Sequence, residues 1–91
     1  MELVILKVSD WKQSKQGHRY KYVFFKDEAT GKSYRSCIYE AMRNYQRWQN
    51  LLVPGNVLNG LRERSKGLID ADSQVNFVRK MELPSHVKEN A

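Results

Sequence analysis

The stretch RYKYVFFKDEATGKSYRSCIY, from Arg19 to Tyr39, decides the fold. Its first eight residues, Arg19 to Lys26, are rich in aromatic and β-branched side chains, which fit a pleated backbone better than a helix. Successive strand side chains point to opposite faces, so Tyr20, Tyr22 and Phe24 share one face while Lys21, Val23 and Phe25 share the other. The segment Asp27 to Lys32 (DEATGK) is turn chemistry, with Gly31 placed where a left-handed residue closes a four-residue hairpin loop. Ser33 to Tyr39 (SYRSCIY) then returns as the second arm of a hairpin. If Asp27 pairs with Lys32, Phe24 lies opposite Arg35, Tyr22 opposite Cys37 and Tyr20 opposite Tyr39. A three-residue loop would instead shift every facing by one.

Toward the N-terminus, Glu2 to Val8 (ELVILKV) is aliphatic, β-branched and too short for a typical helix, and it reads as a first strand. Ser9 to His18 (SDWKQSKQGH) has loop composition, basic and carrying the indole of Trp11. Toward the C-terminus, Glu40 to Leu52 (EAMRNYQRWQNLL) places Ala41, Tyr45, Trp48 and Leu52 on one helical stripe, opposite Arg43, Asn44, Arg47 and Asn50. That pattern predicts a short amphipathic helix, stopped before Pro54-Gly55. Asn56 to Leu61 and Leu68 to Val78 read as the fourth and fifth strands, joined by the charged loop Arg62 to Gly67. Gly60, inside the fourth strand, predicts a bulge or tight bend. From Met81 to Ala91 no periodicity remains, and a mobile tail is expected.

Five short strands, with one helix between the third and fourth, match the connectivity of an OB-fold. An SH3-like barrel has no three-turn helix at that point, and a ferredoxin-like sheet needs two helices. The expectation is therefore an all-β, five-stranded OB-fold-like barrel over residues 1–80, followed by the tail 81–91. A chain of 91 residues has room for one such core. Its single cysteine, Cys37, excludes an internal disulfide and a cysteine-rich zinc site, which fits a reducing, cytoplasmic setting. The apolar run Leu3 to Leu6 is far too short for a signal-peptide core or a membrane span.

Catalysis would need a nucleophile with a base, a paired carboxylate or a set of metal ligands, and the sequence offers none of these sets. His18 and His86 fall in a loop and in the tail. Asp70 and Asp72 alternate onto one strand face and read as solvated carboxylates, and Cys37 reads as a small buried hydrophobe. What the sequence does concentrate is rings and positive charge. Nine of its ten aromatics lie between Trp11 and Trp48, leaving only Phe77 outside. Residues 11–35 hold seven basic side chains against two acidic ones, a surplus of five in a chain of net charge +6. So small a domain cannot bury nine rings from one end of the chain, so some must face water beside cations. Bases stack on such rings while Lys and Arg track phosphates. The competing reading is that Tyr20, Tyr22 and Phe24 are cross-strand core packing with lysines solvating the rim.

The run Ser14-Lys15-Gln16-Gly17-x-x-Tyr20 opening the second strand, the acidic turn after Phe25, Pro54-Gly55 entering the fourth strand and Leu68-Ile69-Asp70 opening the fifth form an ordered set. In that order and spacing the chain resembles the single-stranded DNA-binding proteins of filamentous bacteriophages, the gene V protein type, over roughly residues 2 to 80. The resemblance implies a basic OB barrel that forms a symmetric homodimer and coats viral single strands cooperatively. By position it implies that Lys15 contacts phosphate, that Tyr20 stacks on a base with Tyr22 two residues along, and that Arg79 is a further basic contact. The chain departs from that pattern at Glu40 to Leu52, where a longer helix replaces a shorter loop. It departs again at Arg62 to Gly67, whose tip lacks an aromatic.

The expectation is thus a non-catalytic, largely sequence-independent single-stranded DNA-binding protein with no cofactor, no membrane and no small-molecule substrate. Its candidate contact residues are Trp11, Lys12, Lys15, Arg19, Tyr20, Lys21, Tyr22, Phe24, Arg35, Tyr39 and Arg79. The alternatives are an RNA-binding OB module, separated only by a 2′-OH contact, and a protein-interaction domain that docks through Tyr45 and Trp48.

Overall fold

A computed structural model describes residues 1–83 of the chain. Its strands are β1 (Leu3–Val8), β2 (Lys12–Gln13), β3 (Arg19–Lys26), β4 (Ser33–Tyr39), β5 (Asn56–Asn59), β6 (Glu63–Ser65), β7 (Leu68–Ile69) and β8 (Asn76–Lys80), with one helix, α1 (Tyr45–Gln49), between β4 and β5. They form a small all-β, OB-like fold. The sheet order is β6-β7-β4-β3-β1-β5-β8, with β2 paired to β3.

The hairpin register is the one expected from a four-residue loop. Asp27 N donates to Lys32 O, and Tyr20, Tyr22 and Phe24 face Tyr39, Cys37 and Arg35. Alternation then sorts the side chains. Val23 and Phe25 from β3, with Tyr34, Ser36 and Ile38 from β4, are buried inward, against Leu3, Ile5, Leu58 and Ile69. Tyr22, Phe24, Arg35 and Tyr39 are left outside.

The expected fifth strand is broken in two. Asp70 Oδ1 accepts the N–H of Asp72, and Ser73 N and Oγ both donate to Asp70 O, which folds residues 70–73 into a turn. The piece before the turn, β7, runs parallel to β4, whereas the piece after it, β8, runs antiparallel to β5. Those partners lie on opposite sides of the sheet order, so the sheet curls and residues 70–75 draw its two edges together. The expected loop Arg62 to Gly67 is itself part of a hairpin, β6 with β7.

The helix is also shorter than its sequence pattern predicts, one turn rather than Glu40 to Leu52. Asn44 and Arg47, which the stripe assigns to the solvent side, instead bridge to the seam. Asn44 Nδ2 donates to Ala71 O and Ser73 O, and an Arg47 guanidinium N–H donates to Val75 O. Trp48 is completely buried, and its indole N–H donates to Ala71 O at 2.8 Å. An indole sealed in the core has no surface to offer a partner, which removes the docking face of Tyr45 and Trp48. On the opposite side of the sheet, Val4 and Val57 are covered by Leu83, and Met81 N donates to Gly55 O. The chain therefore stays packed through Leu83, three residues beyond the expected end of the domain. The rest of the expected tail, 84–91, lies outside the described residues.

Gly60, the residue after β5, has φ +77°, and a Cβ there would run into the carbonyl of Gln74. Gly31, at φ +75°, has open space around it. Gly60→Ala is expected to destabilise by more than the about 1–3 kcal/mol of a left-handed backbone alone, lowering the thermal midpoint by at least about 4 °C. Gly31→Ala meets only the backbone cost. Equal melting of the two variants would show that the backbone at Gly60 yields freely.

Candidate functional site

The outer face of β3 and β4 carries a continuous row of rings. Cross-strand partners in an antiparallel pair share a face, so the register sets Tyr20 beside Tyr39, Tyr22 beside Cys37 and Phe24 beside Arg35. Ring centroids are 5.2 Å apart for Tyr39 and Tyr20, 5.6 Å for Tyr20 and Tyr22, and 6.5 Å for Tyr22 and Phe24. These are tilted and edge-on contacts, the geometry that the ring quadrupole favours. The rings support one another and remain open outward, with Tyr22 and Phe24 each 37% exposed and Tyr39 39% exposed. The competing reading, in which they pack the core, does not hold.

Cations flank the row. Lys12, on β2, pairs with Tyr20 and so lies at one end, while Arg35 lies beside Phe24 at the other. The sequence reading misses Lys7. A register shift in β1 between Ile5 and Lys7 sets Lys7 opposite Phe24, and its side chain is exposed. Simple alternation cannot reveal it, because a bulge resets the parity of the strand. Between Lys7 on β1 and Arg35 on β4, Phe24 has a basic residue on each side.

The other expected contact residues are distributed as follows. The loop before β3 is a small hairpin, closed by Ser14 N donating to His18 O, and Lys15 is exposed within it. Trp11 is only partly exposed. Its ring packs on Tyr45 at 5.9 Å and has the Arg19 guanidinium 4.4 Å and the Lys21 ammonium 4.7 Å from its centroid, so it is already engaged in cation–π contacts. Arg19 also pairs with Glu40 at 3.7 Å. Arg79 stands apart from the ring row. It pairs with Glu2 at 3.0 Å and borders a hollow that also contains Asp27 and Glu28.

At the Phe24 end of the row lies an open hollow of about 260 Å³, lined by Tyr22, Phe24, Arg35, Ser36, Cys37 and Leu68. Cys37 belongs to this outer surface and not to the core, since its parity matches that of Tyr22. Desolvation pushes the Tyr20 phenol up from its ordinary value, helped by the Tyr22 and Tyr39 hydroxyls, and burial pushes the Cys37 thiol up. Both groups are therefore neutral at physiological pH. Asp70, expected to be a solvated carboxylate, is held by Arg62 at 3.1 Å and by its own turn. No group of three or more metal-ligating side chains occurs among the described residues, nor does a helix long and apolar enough to cross a membrane.

Searches of protein-family models, of curated proteins and of solved structures found no match to the chain.

With its thiolate disfavoured, Cys37 should react with iodoacetamide at neutral pH more slowly than glutathione does, and its rate should keep rising well into the alkaline range. Mass spectrometry of timed samples reads this directly. A rate at pH 7 above that of glutathione would contradict the neutral thiol.

Proposed function

We propose that this chain is a non-catalytic protein that binds single-stranded DNA largely without regard to sequence, coating and protecting it during replication of a phage or other mobile element. On this reading it acts in the cytoplasm, as a homodimer of the gene V protein type. The observation that supports it best is the row Tyr39, Tyr20, Tyr22 and Phe24, outward-facing, in mutual contact and flanked by Lys12, Lys7 and Arg35.

Unpaired bases stack on exposed rings for about 1–3 kcal/mol each, and every base has a π-face, so such a surface is tolerant of sequence. A duplex hides those faces. The flanking lysines supply phosphate contacts, whose strength comes from counterion release. Trp11 braces the loop that carries Lys12 and Lys15, while Arg79, held by Glu2, lies outside this interface.

Quenching of intrinsic tyrosine and tryptophan fluorescence by oligonucleotides tests the reading. Single-stranded DNA is expected to bind much more tightly than the same sequence as duplex, at matched salt. Equal affinities would sink the stacking mechanism, and stronger binding to the corresponding RNA would move the assignment to the other polymer.

Affinity should fall with salt by a slope of about 0.7 in log K per phosphate neutralised. Replacing Lys12 by Ala should make that slope shallower by under about one unit. A salt-independent constant would refute the electrostatic half of the proposal.

Tyr22→Ala should lose about 1–3 kcal/mol of binding, with a stability change under about 1 kcal/mol because the ring already meets water. Phe25→Ala, three residues along the strand and on its buried face, should cost about 3–5 kcal/mol of stability. A Tyr22→Ala protein that melts far below wild type yet binds normally would overturn the choice of face.

A further inference from the structure

The hollow at the Phe24 end of the ring row differs chemically from the rest of that surface. Its lining is two rings, the side chain of Leu68, a neutral thiol and one cation, Arg35. Ser36 Oγ is committed to Ile69 O and does not serve the hollow. Arg19, Lys32, Arg62 and Arg79 are each paired with a carboxylate, but the Arg35 guanidinium has no ion-pair or hydrogen-bond partner among the described residues. It is a free, planar, donor-only fork at an apolar recess whose volume, about 260 Å³, admits a nucleobase. Among the described residues no carboxylate lines that recess.

We infer that this hollow seats one base of the bound strand and prefers guanine, with Arg35 donating two hydrogen bonds to guanine O6 and N7. The inference rests on the proposed single-strand binding and adds a compositional preference to it. Guanine presents two adjacent acceptors, O6 and N7, on its Hoogsteen edge, which is why arginine pairs with it bidentately. Adenine presents an amino donor beside N7 and beside N1, which a donor-only fork cannot satisfy, and an unpaired cytosine, though its N3 and O2 are adjacent acceptors, brings one ring to stack where guanine brings two. Thymine offers a single acceptor.

The test compares fluorescence titrations of the full-length protein with d(TTG)4, d(TTA)4, d(TTC)4 and (dT)12 at one salt concentration. The guanine repeat is expected to bind about five- to tenfold more tightly than the others. Substituting 7-deazaguanine, which lacks N7, should erase the advantage, while hypoxanthine, which keeps O6 and N7, should preserve it. Arg35→Lys keeps the charge but not the fork, so the ratio of its affinities for d(TTG)4 and (dT)12 should fall to about one. Equal affinity for all four repeats would overturn the guanine site while leaving single-strand binding standing. A preference that survives Arg35→Lys or 7-deazaguanine would overturn it as well. Should Arg35→Ala weaken all four repeats equally and flatten the salt slope, Arg35 is a phosphate contact and the guanine site is refuted. Failure of every oligonucleotide to bind would overturn this inference and the proposed function together.

Discussion

The indole of Trp48 is the piece on which the rest of the structure depends. It is the largest buried side chain, and its N–H must find an acceptor, since an unsatisfied donor in an apolar interior costs about 1–3 kcal/mol. Ala71 O provides it. Ala71 lies in the segment that joins the two edges of the curled sheet, so one hydrogen bond fixes the helix, the core and the seam together. Asn44 and Arg47 add donors to the same short run of carbonyls. Filling the interior with Trp48 and Phe25, which pack at 6.4 Å, also decides what stays outside. The inward positions of β3 and β4 are occupied by Val23, Phe25, Tyr34, Ser36 and Ile38, and close packing leaves no space there for further rings. The ring row on the outer face is the complement of that choice.

The elements read correctly from sequence are those governed by local, two-residue periodicity. In β3 and β4 the alternation, the loop length and the position of Gly31 act within twenty-one residues, and together they fix which rings share a face. The misreadings arise where distant groups meet. Nothing within Leu68 to Val78 announces that Ser73 Oγ will bond Asp70 O and accept from Arg62 N, which is what breaks the strand. Asn44 and Arg47 look solvent-facing on a helical wheel, because the wheel contains no carbonyls from residues 71–75. Lys7 is hidden by a bulge, and Arg79 is drawn to Glu2 across 77 positions of sequence. The site was thus legible in its rings and incompletely so in its charges, since ring placement follows strand parity and charge placement follows tertiary pairing.

An exposed aromatic face on a small β domain invites self-association, and the distribution of charge here works against it. The cross-strand partners that make up the face, Lys12 with Tyr20, Lys7 with Phe24 and Phe24 with Arg35, include no carboxylate. Acidic groups are paired elsewhere, Glu2 with Arg79, Glu63 with Lys32 and Asp70 with Arg62. Two copies brought ring to ring would therefore set cation against cation, which disfavours that approach. A polyanion reverses the sign of the same interaction. On the proposed reading, one arrangement of residues thus keeps the rings soluble in the free protein and makes a phosphate-bearing strand their preferred cover. The division of labour follows from the physics of each part. Net charge acts at range and governs the encounter rate and its salt dependence, whereas stacking acts only in contact and requires bases that have left their partners. On that reading, discrimination between single strand and duplex resides in Tyr20, Tyr22, Phe24 and Tyr39, and Lys7 and Lys12, acting on phosphate, contribute to both polymers alike.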